Sequence, residues 1–135
     1  MLDAEFGPME FGDIVNETLK YNPSLVLLGH FGSTSARPII SEITGLIRRR
    51  NRSIKIVIGG VFPTYHWREI LETESQIDYI VTGEGEETIV NLVEAIETGY
   101  PLELVKGIAT RLDERVLKTP PSPNIKDLNA YRVGW

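Results

Sequence analysis

At 135 residues, with 41% hydrophobic content, the chain has the length of one domain and enough apolar material for a real core. It contains no cysteine, which excludes a disulfide, a thiolate zinc site and a cysteine-ligated iron–sulfur cluster within these residues. A net charge of -5 argues against a nucleic-acid-binding face, and no stretch reaches the roughly 20 apolar residues of a membrane span. With no basic-then-apolar leader at its start, the chain is expected to be cytoplasmic, with neither nucleic acid nor membrane as a partner.

Residues 1–8 show no clear period, although Met1-Leu2-Asp3 suits the tail of a strand. Phe11, Ile14, Val15 and Leu19 then recur at helical spacing until Asn22-Pro23, because a residue before proline avoids the helical region. Leu25 to Leu28 reads as a buried strand broken by Gly29, with a polar loop through Ser35 behind it. Ser33, Thr34 and Ser35 are candidate caps for a helix beginning near Ala36, and at a strand edge they are also placed to meet a ligand. Pro38 fits the first turn of that helix, where its missing N–H would have had no partner. Ile39, Ile40, Ile43, Leu46 and Ile47 form its apolar stripe. Arg48, Arg49, Arg50 and Arg52 gather at its end, where cations complement the helix dipole and are ordinarily solvated; an acidic partner or nucleic acid is the other use of such a group.

Ile54 to Gly60 is the clearest strand, a β-branched run stopped by two glycines. A loop through Pro63 and a short helix from about Trp67 to Thr73 are expected next. Gly59-Gly60 serves either as a plain strand-end turn or, with Pro63, Thr64 and His66, as a fixed loop where a flat ligand or a nucleotide tail approaches bare backbone. His30 and His66 each follow a strand end, and neither stands in a triad or paired-histidine context. Asp78 to Val81 is the third strand, and Gly83-Glu84-Gly85-Glu86-Glu87 follows it directly. Glu86 and Glu87 suit a helix start, whereas three acids in one loop make a poor phosphate cradle and an unpersuasive metal site. Ile89, Leu92, Val93 and Ile96 continue as an amphipathic helix that Gly99 can close in the left-handed conformation. Residues 107–111 and 116–118 read as a β-hairpin, and Thr119-Pro-Pro-Ser-Pro123 as an extended linker.

Alternating strands and helices with short links imply a three-layer α/β fold, a parallel sheet covered on both faces, with a small C-terminal hairpin. Ligands in such sheets bind beyond the carboxyl ends of the strands, where the strand order reverses, and all three glycine-containing loops lie on that edge. The chain divides into an α/β domain over residues 1–105, a hairpin extension over 106–119, and a linker or tail over 120–135.

Taken together, Val57-Ile-Gly-Gly60 with Pro63-Thr64, the run Asp78-Tyr-Ile-Val-Thr-Gly-Glu-Gly-Glu86, Gly107-Ile-Ala109 and Asp127-Leu128 resemble the cobalamin-binding domain of radical S-adenosylmethionine enzymes. The likeness is greatest to the group that includes the anaerobic magnesium-protoporphyrin IX monomethyl ester cyclase and related methyltransferases. The resemblance implies a flavodoxin-like Rossmann domain, incomplete over residues 1–105, that holds cobalamin over the strand ends, with the nucleotide tail between loops and the corrin facing a partner domain. Carried over by position, Gly59 and Gly60 with Pro63 and Thr64 line the tail. Gly83, Glu84 and Gly85 flank it, and the Phe31, Gly32, Ser33 and Thr34 loop adds a contact from the preceding strand. Against the family pattern the first strand and helix are expected to be missing, and the Asp-x-His-x-x-Gly signature that supplies a histidine to cobalt is absent.

Without cysteine, the 4Fe-4S cluster and S-adenosylmethionine belong to a separate catalytic domain, in cis or in trans, and no catalytic or metal-ligating residue is assigned here. Two further functions compete with a cobalamin module. A cofactor-free interaction or regulatory domain would use an exposed sheet edge for self-association. A hydrolase built on Glu84 or His66 comes last, because no nucleophile–base pair stands at a recognisable spacing.

Overall fold

The computed structural model describes residues 9–30, 36–113 and 115–125. Helix α1 (Phe11–Lys20) precedes strand β1 (Leu25–His30), helix α2 (Arg37–Arg50) and strand β2 (Lys55–Gly60). Helix α3 (Val61–Thr73), strand β3 (Tyr79–Val81) and helix α4 (Glu86–Thr98) follow. A single 3-10 turn (Leu102–Leu104) then leads to strands β4 (Ile108–Leu112) and β5 (Arg115–Lys118).

The five strands form one sheet in the order β1-β2-β3-β4-β5. Strands β1, β2 and β3 are parallel, and the β4–β5 hairpin joins antiparallel along β3, so the hairpin continues the same sheet. Among the described residues the order runs with the sequence and no reversal point occurs.

Side chains alternate across a strand, so neighbouring residues of one strand serve different cores. Ile56, Ile58, Ile80 and Ala109 pack with Val15, Ile43, Ile47, Phe62 and Ile70 from α1, α2 and α3. Their neighbours Val57, Tyr79, Val81 and Ile108 pack on the other side with Leu92 and Ala95 of α4. Three helices therefore cover one face. The opposite face is covered by α4 and the 3-10 turn, whose Leu102 packs there.

Local chemistry sets the helix ends. Pro38 lies in the first turn of α2, Glu86 and Glu87 lie in the first turn of α4, and Gly99 closes α4 at φ 74°. The segment after β2 departs from expectation. Pro63 and Thr64 are not in a loop: α3 begins at Val61, immediately after Gly60 at φ 111°. Proline is harmless there because the first turn needs no N–H donor, and its fixed φ already suits a helix. A break at His66 (φ -106°, ψ 17°) divides α3, so the helix expected from Trp67 is its second half.

Arg48 corrects the solvated reading of the α2 arginines. Its guanidinium donates to the carbonyls of Ile54 and Gln76, at 3.0 and 2.8 Å, and to the Asp78 carboxylate at 2.6 Å. Asp78 Oδ2 also accepts the Ile56 N–H at 2.8 Å. Arg111 does similar work at the end of α3, donating to the carbonyls of Leu71, Glu74 and Ile77, each at 2.8 Å. Buried carbonyls need partners, and these two side chains supply them around the amino ends of β2 and β3. The carboxyl ends are left to other uses.

Candidate functional site

The carboxyl ends of β1, β2 and β3 lie side by side. Gly29 pairs in register with Gly59, His30 with Gly60, and Gly59 with Val81. By alternation, Leu25, Leu27 and Gly29 share the sheet face of Val57, Gly59 and Val81. Leu25 packs into the α4 core, but Leu27 is 52% exposed and Gly29 is also exposed. The α4 side of β1 and β2 thus ends in a bare patch: one exposed leucine and two adjacent glycines.

Steric tests separate the glycines by role. A Cβ on Gly29 or Gly83 would meet nothing within 4 Å among the described residues. On Gly59 it would make ordinary contact with Val81 at 3.7 Å, and on Gly85 a tight one at 3.3 Å from Val81 Cγ1. Gly60 and Gly83 (φ 76°) have positive φ, which side chains with a Cβ rarely adopt. Gly29 has neither constraint, so packing among the described residues does not explain it.

Thr64 joins the two glycine loops. Its hydroxyl donates to the Gly60 carbonyl at 2.8 Å, and its oxygen accepts the Gly83 N–H at 3.0 Å. The bridge exists because α3 starts directly at the strand end and carries Thr64 back over Gly60. Pro63 beside it is buried and stiffens that first turn.

A third connection comes from the hairpin. Thr82 N–H and Oγ1 both donate to the Gly107 carbonyl, at 2.8 and 3.1 Å, while Gly107 N–H donates to the Pro120 carbonyl at 2.8 Å. Gly107 sits at φ 78°, and a Cβ there would lie 2.8 Å from Thr88 Oγ1. Glu84 is exposed, and its Oε2 accepts the Ile125 N–H at 2.6 Å.

The structure therefore brings together Gly59, Gly60, Pro63, Thr64, Gly83, Glu84 and Gly85. Phe31, Gly32, Ser33 and Thr34 lie outside the described residues, as does the His30 side chain. His66 is stacked on Phe62 with ring centroids 4.3 Å apart, a packing role. Sequence reading placed Gly29 at this edge without giving it a contact, gave Thr82 and Gly107 no role there, and missed Leu27. Gly29 had a signal, a glycine interrupting an apolar strand, whereas the exposure of Leu27 depends on which strands neighbour β1.

The displaced titrations lie elsewhere. The Arg37 hydrogen bond holds the Glu69 carboxyl below its usual range, and Glu69 in turn raises Arg37. Burial, and then the nearby Asp78 charge, pushes the Tyr79 hydroxyl up. Among the described residues no group of three or more His, Asp and Glu side chains is placed to hold a metal ion. No helix there is long and apolar enough to cross a membrane. A groove of about 410 Å³ lined by Asn91, Glu94, Tyr100, Leu104 and Pro123 touches Glu87 but none of Gly59, Gly60, Thr64, Gly83, Glu84 or Gly85.

Comparison with known proteins places these observations in a lineage. The chain is 51% identical over all 135 residues to the anaerobic magnesium-protoporphyrin IX monomethyl ester cyclase of Synechocystis, of which it covers 27%. It is 27% identical over 133 residues to the uncharacterized methyltransferase PH0819 of Pyrococcus horikoshii, covering 28% of that protein. The chain thus spans about a quarter of the length of these curated relatives. Among solved structures, the radical S-adenosylmethionine methyltransferase TsrM of Kitasatospora setae, with cobalamin and a 4Fe-4S cluster bound, superposes with a TM-score of 0.75 at 20% identity. That match covers 94% of this chain and 24% of TsrM. The cobalamin-dependent radical enzyme OxsB, with aqua-cobalamin and S-adenosylmethionine bound, gives a TM-score of 0.72 at 22% identity, covering 87% of this chain and 16% of OxsB. Both show the fold. Residues 1–93 match the B12 binding domain, and the chain belongs to that family.

Proposed function

We propose that this chain binds cobalamin over the carboxyl ends of β1, β2 and β3 and orients it for a radical S-adenosylmethionine catalytic domain, in cis or in trans. The observation that carries this reading is the bare patch of Leu27, Gly29 and Gly59, which offers a flat apolar floor to a nucleotide tail. Gly29 is the telling residue, since no described neighbour requires it to lack a side chain. Backbone without side chains lets a planar group approach closely.

The other contacts follow from placement. Gly60, Thr64 and Gly83 hold the two loops at a fixed separation through the threonine bridge. Gly85 lets the start of α4 close on Val81, Pro63 stiffens the opposing turn, and Glu84 flanks the groove. Phe31, Gly32, Ser33 and Thr34, which follow β1 in sequence, complete the proposed set. The bound corrinoid supplies cobalt chemistry; the chain supplies binding and orientation. The partner supplies the 4Fe-4S cluster and S-adenosylmethionine, because no cysteine is present here. Methyl transfer or the cyclase reaction is the proposed work of the assembled enzyme, with residues 120–135 as the linker between the two parts. The proposed setting is the cytoplasm, which suits a partner dependent on a reduced cluster.

Ultraviolet-visible titration with hydroxocobalamin tests the reading. A shift of the corrin bands and one retained equivalent after gel filtration are expected. No spectral change and no retained corrinoid would refute it. Strand β1 pairs with β2 alone among the described residues, which supports a second, compatible proposal of self-association through that edge. Light scattering at high concentration checks it, and a strict monomer excludes it.

A further inference from the structure

We infer that Glu84 is a positioning residue: its carboxylate fastens the onward segment of the chain, residues 119–125, to the strand-end edge, so that whatever follows leaves from beside the cofactor loops. The inference rests on the cobalamin reading only for what occupies that edge.

The helix dipole accounts for acids inside the first turn of α4, but Glu84 lies before that turn. Its carboxylate accepts the backbone N–H of Ile125, forty-one residues away, at 2.6 Å. A carboxylate accepting a backbone N–H makes a charge-assisted bond, the stronger kind. The near end of the same segment is already fixed. Thr119 N–H donates to the Ile108 carbonyl at 2.9 Å, Thr119 Oγ1 accepts the Ile108 N–H at 3.1 Å, and the Pro120 carbonyl accepts the Gly107 N–H at 2.8 Å.

Between the two anchors the sequence is Pro120-Pro-Ser-Pro-Asn124. Prolines fix φ and favour an extended, semi-rigid course, so a single tie at the far end orients the whole segment. They also remove backbone donors, which leaves few N–H groups able to make such a tie; Ile125 makes it. The acceptor sits in the same short loop whose preceding residue, Gly83, is bonded to Thr64. The loop that flanks the proposed cofactor groove therefore also holds the linker.

Amide hydrogen exchange on the apo chain is the test, read at Ile125 in wild type, Glu84→Ala and Glu84→Gln. Glu84→Ala should speed Ile125 exchange by about three- to tenfold, the factor for one lost hydrogen bond, and Glu84→Gln should retain part of the protection because an acceptor oxygen remains. The amides of Ile80 and Ile108 report that the sheet is intact and should not change. Equal Ile125 exchange in wild type and Glu84→Ala overturns the inference. Hydroxocobalamin titration of the same wild-type sample keeps the two proposals apart: failure to bind refutes the cofactor reading, while the apo exchange result alone decides the role of Glu84.

Discussion

Replacing Gly29 by valine separates a structural glycine from a functional one. A glycine inside a strand costs about 0.5–1 kcal/mol relative to alanine through backbone entropy, and valine is a favoured strand residue. At Gly29 an added Cβ meets nothing within 4 Å among the described residues, so the branch point of the new side chain has room. Gly29→Val should therefore leave stability unchanged or raise it by up to about 1 kcal/mol, read from urea denaturation followed by circular dichroism. The same side chain would stand on the bare patch beside Gly59, where the proposed nucleotide tail lies. Overfilling a packed contact costs about 1–3 kcal/mol, which corresponds to roughly a fivefold to 150-fold weaker hydroxocobalamin affinity in spectroscopic titration. Two results would refute the reasoning. A destabilisation above about 1 kcal/mol would make Gly29 a packing residue, and unchanged affinity in a stable variant would move the ligand away from β1.

Thr64→Val removes the bridge between the Gly60 and Gly83 loops at nearly constant volume; stability should fall by about 0.5–1.5 kcal/mol, with hydroxocobalamin affinity two- to tenfold weaker and Thr64→Ser close to wild type. Gly107→Ala combines a positive φ with a Cβ 2.8 Å from Thr88 Oγ1, and should cost about 2–4 kcal/mol in chemical denaturation; a cost below about 0.5 kcal/mol would contradict the steric argument. Tyr79 is held neutral by burial, so its folded pKa lies above the unfolded value near 10. The unfolded chain then loses this proton first, and stability should fall as pH rises past about 10, more steeply in wild type than in Tyr79→Phe when urea midpoints are compared from pH 9 to 11.

Much of the fold could be read from periodicity. The apolar stripes of α2 and α4, the left-handed closure at Gly99 and the hairpin all follow from local pattern and turn chemistry, which the final packing reinforces. The segment after β2 was misread because Pro63 signals a break in most contexts, and only the strand-end position makes it a first-turn residue. Arg48 was misread for a different reason. Its partners Ile54, Gln76 and Asp78 come from later segments, and no local rule brings them to the end of α2.

The edge itself was partly legible. Glycines after strand runs marked Gly59, Gly60, Gly83 and Gly85, and these residues do converge. Gly29 was marked as a strand end, but the bare patch it forms with the missed Leu27 depends on a covered and an uncovered sheet face, a tertiary property. Gly107 and Thr82 escaped because their hydrogen bond spans two segments twenty-five residues apart.

Hydrogen exchange with and without hydroxocobalamin tests the central claim most directly. The account predicts slower exchange at Gly29, across residues 59–64 and across residues 82–86, with Arg111 to Lys118 unaffected. Binding that leaves those three stretches unchanged, or that protects the Tyr100 and Leu104 groove instead, would contradict it.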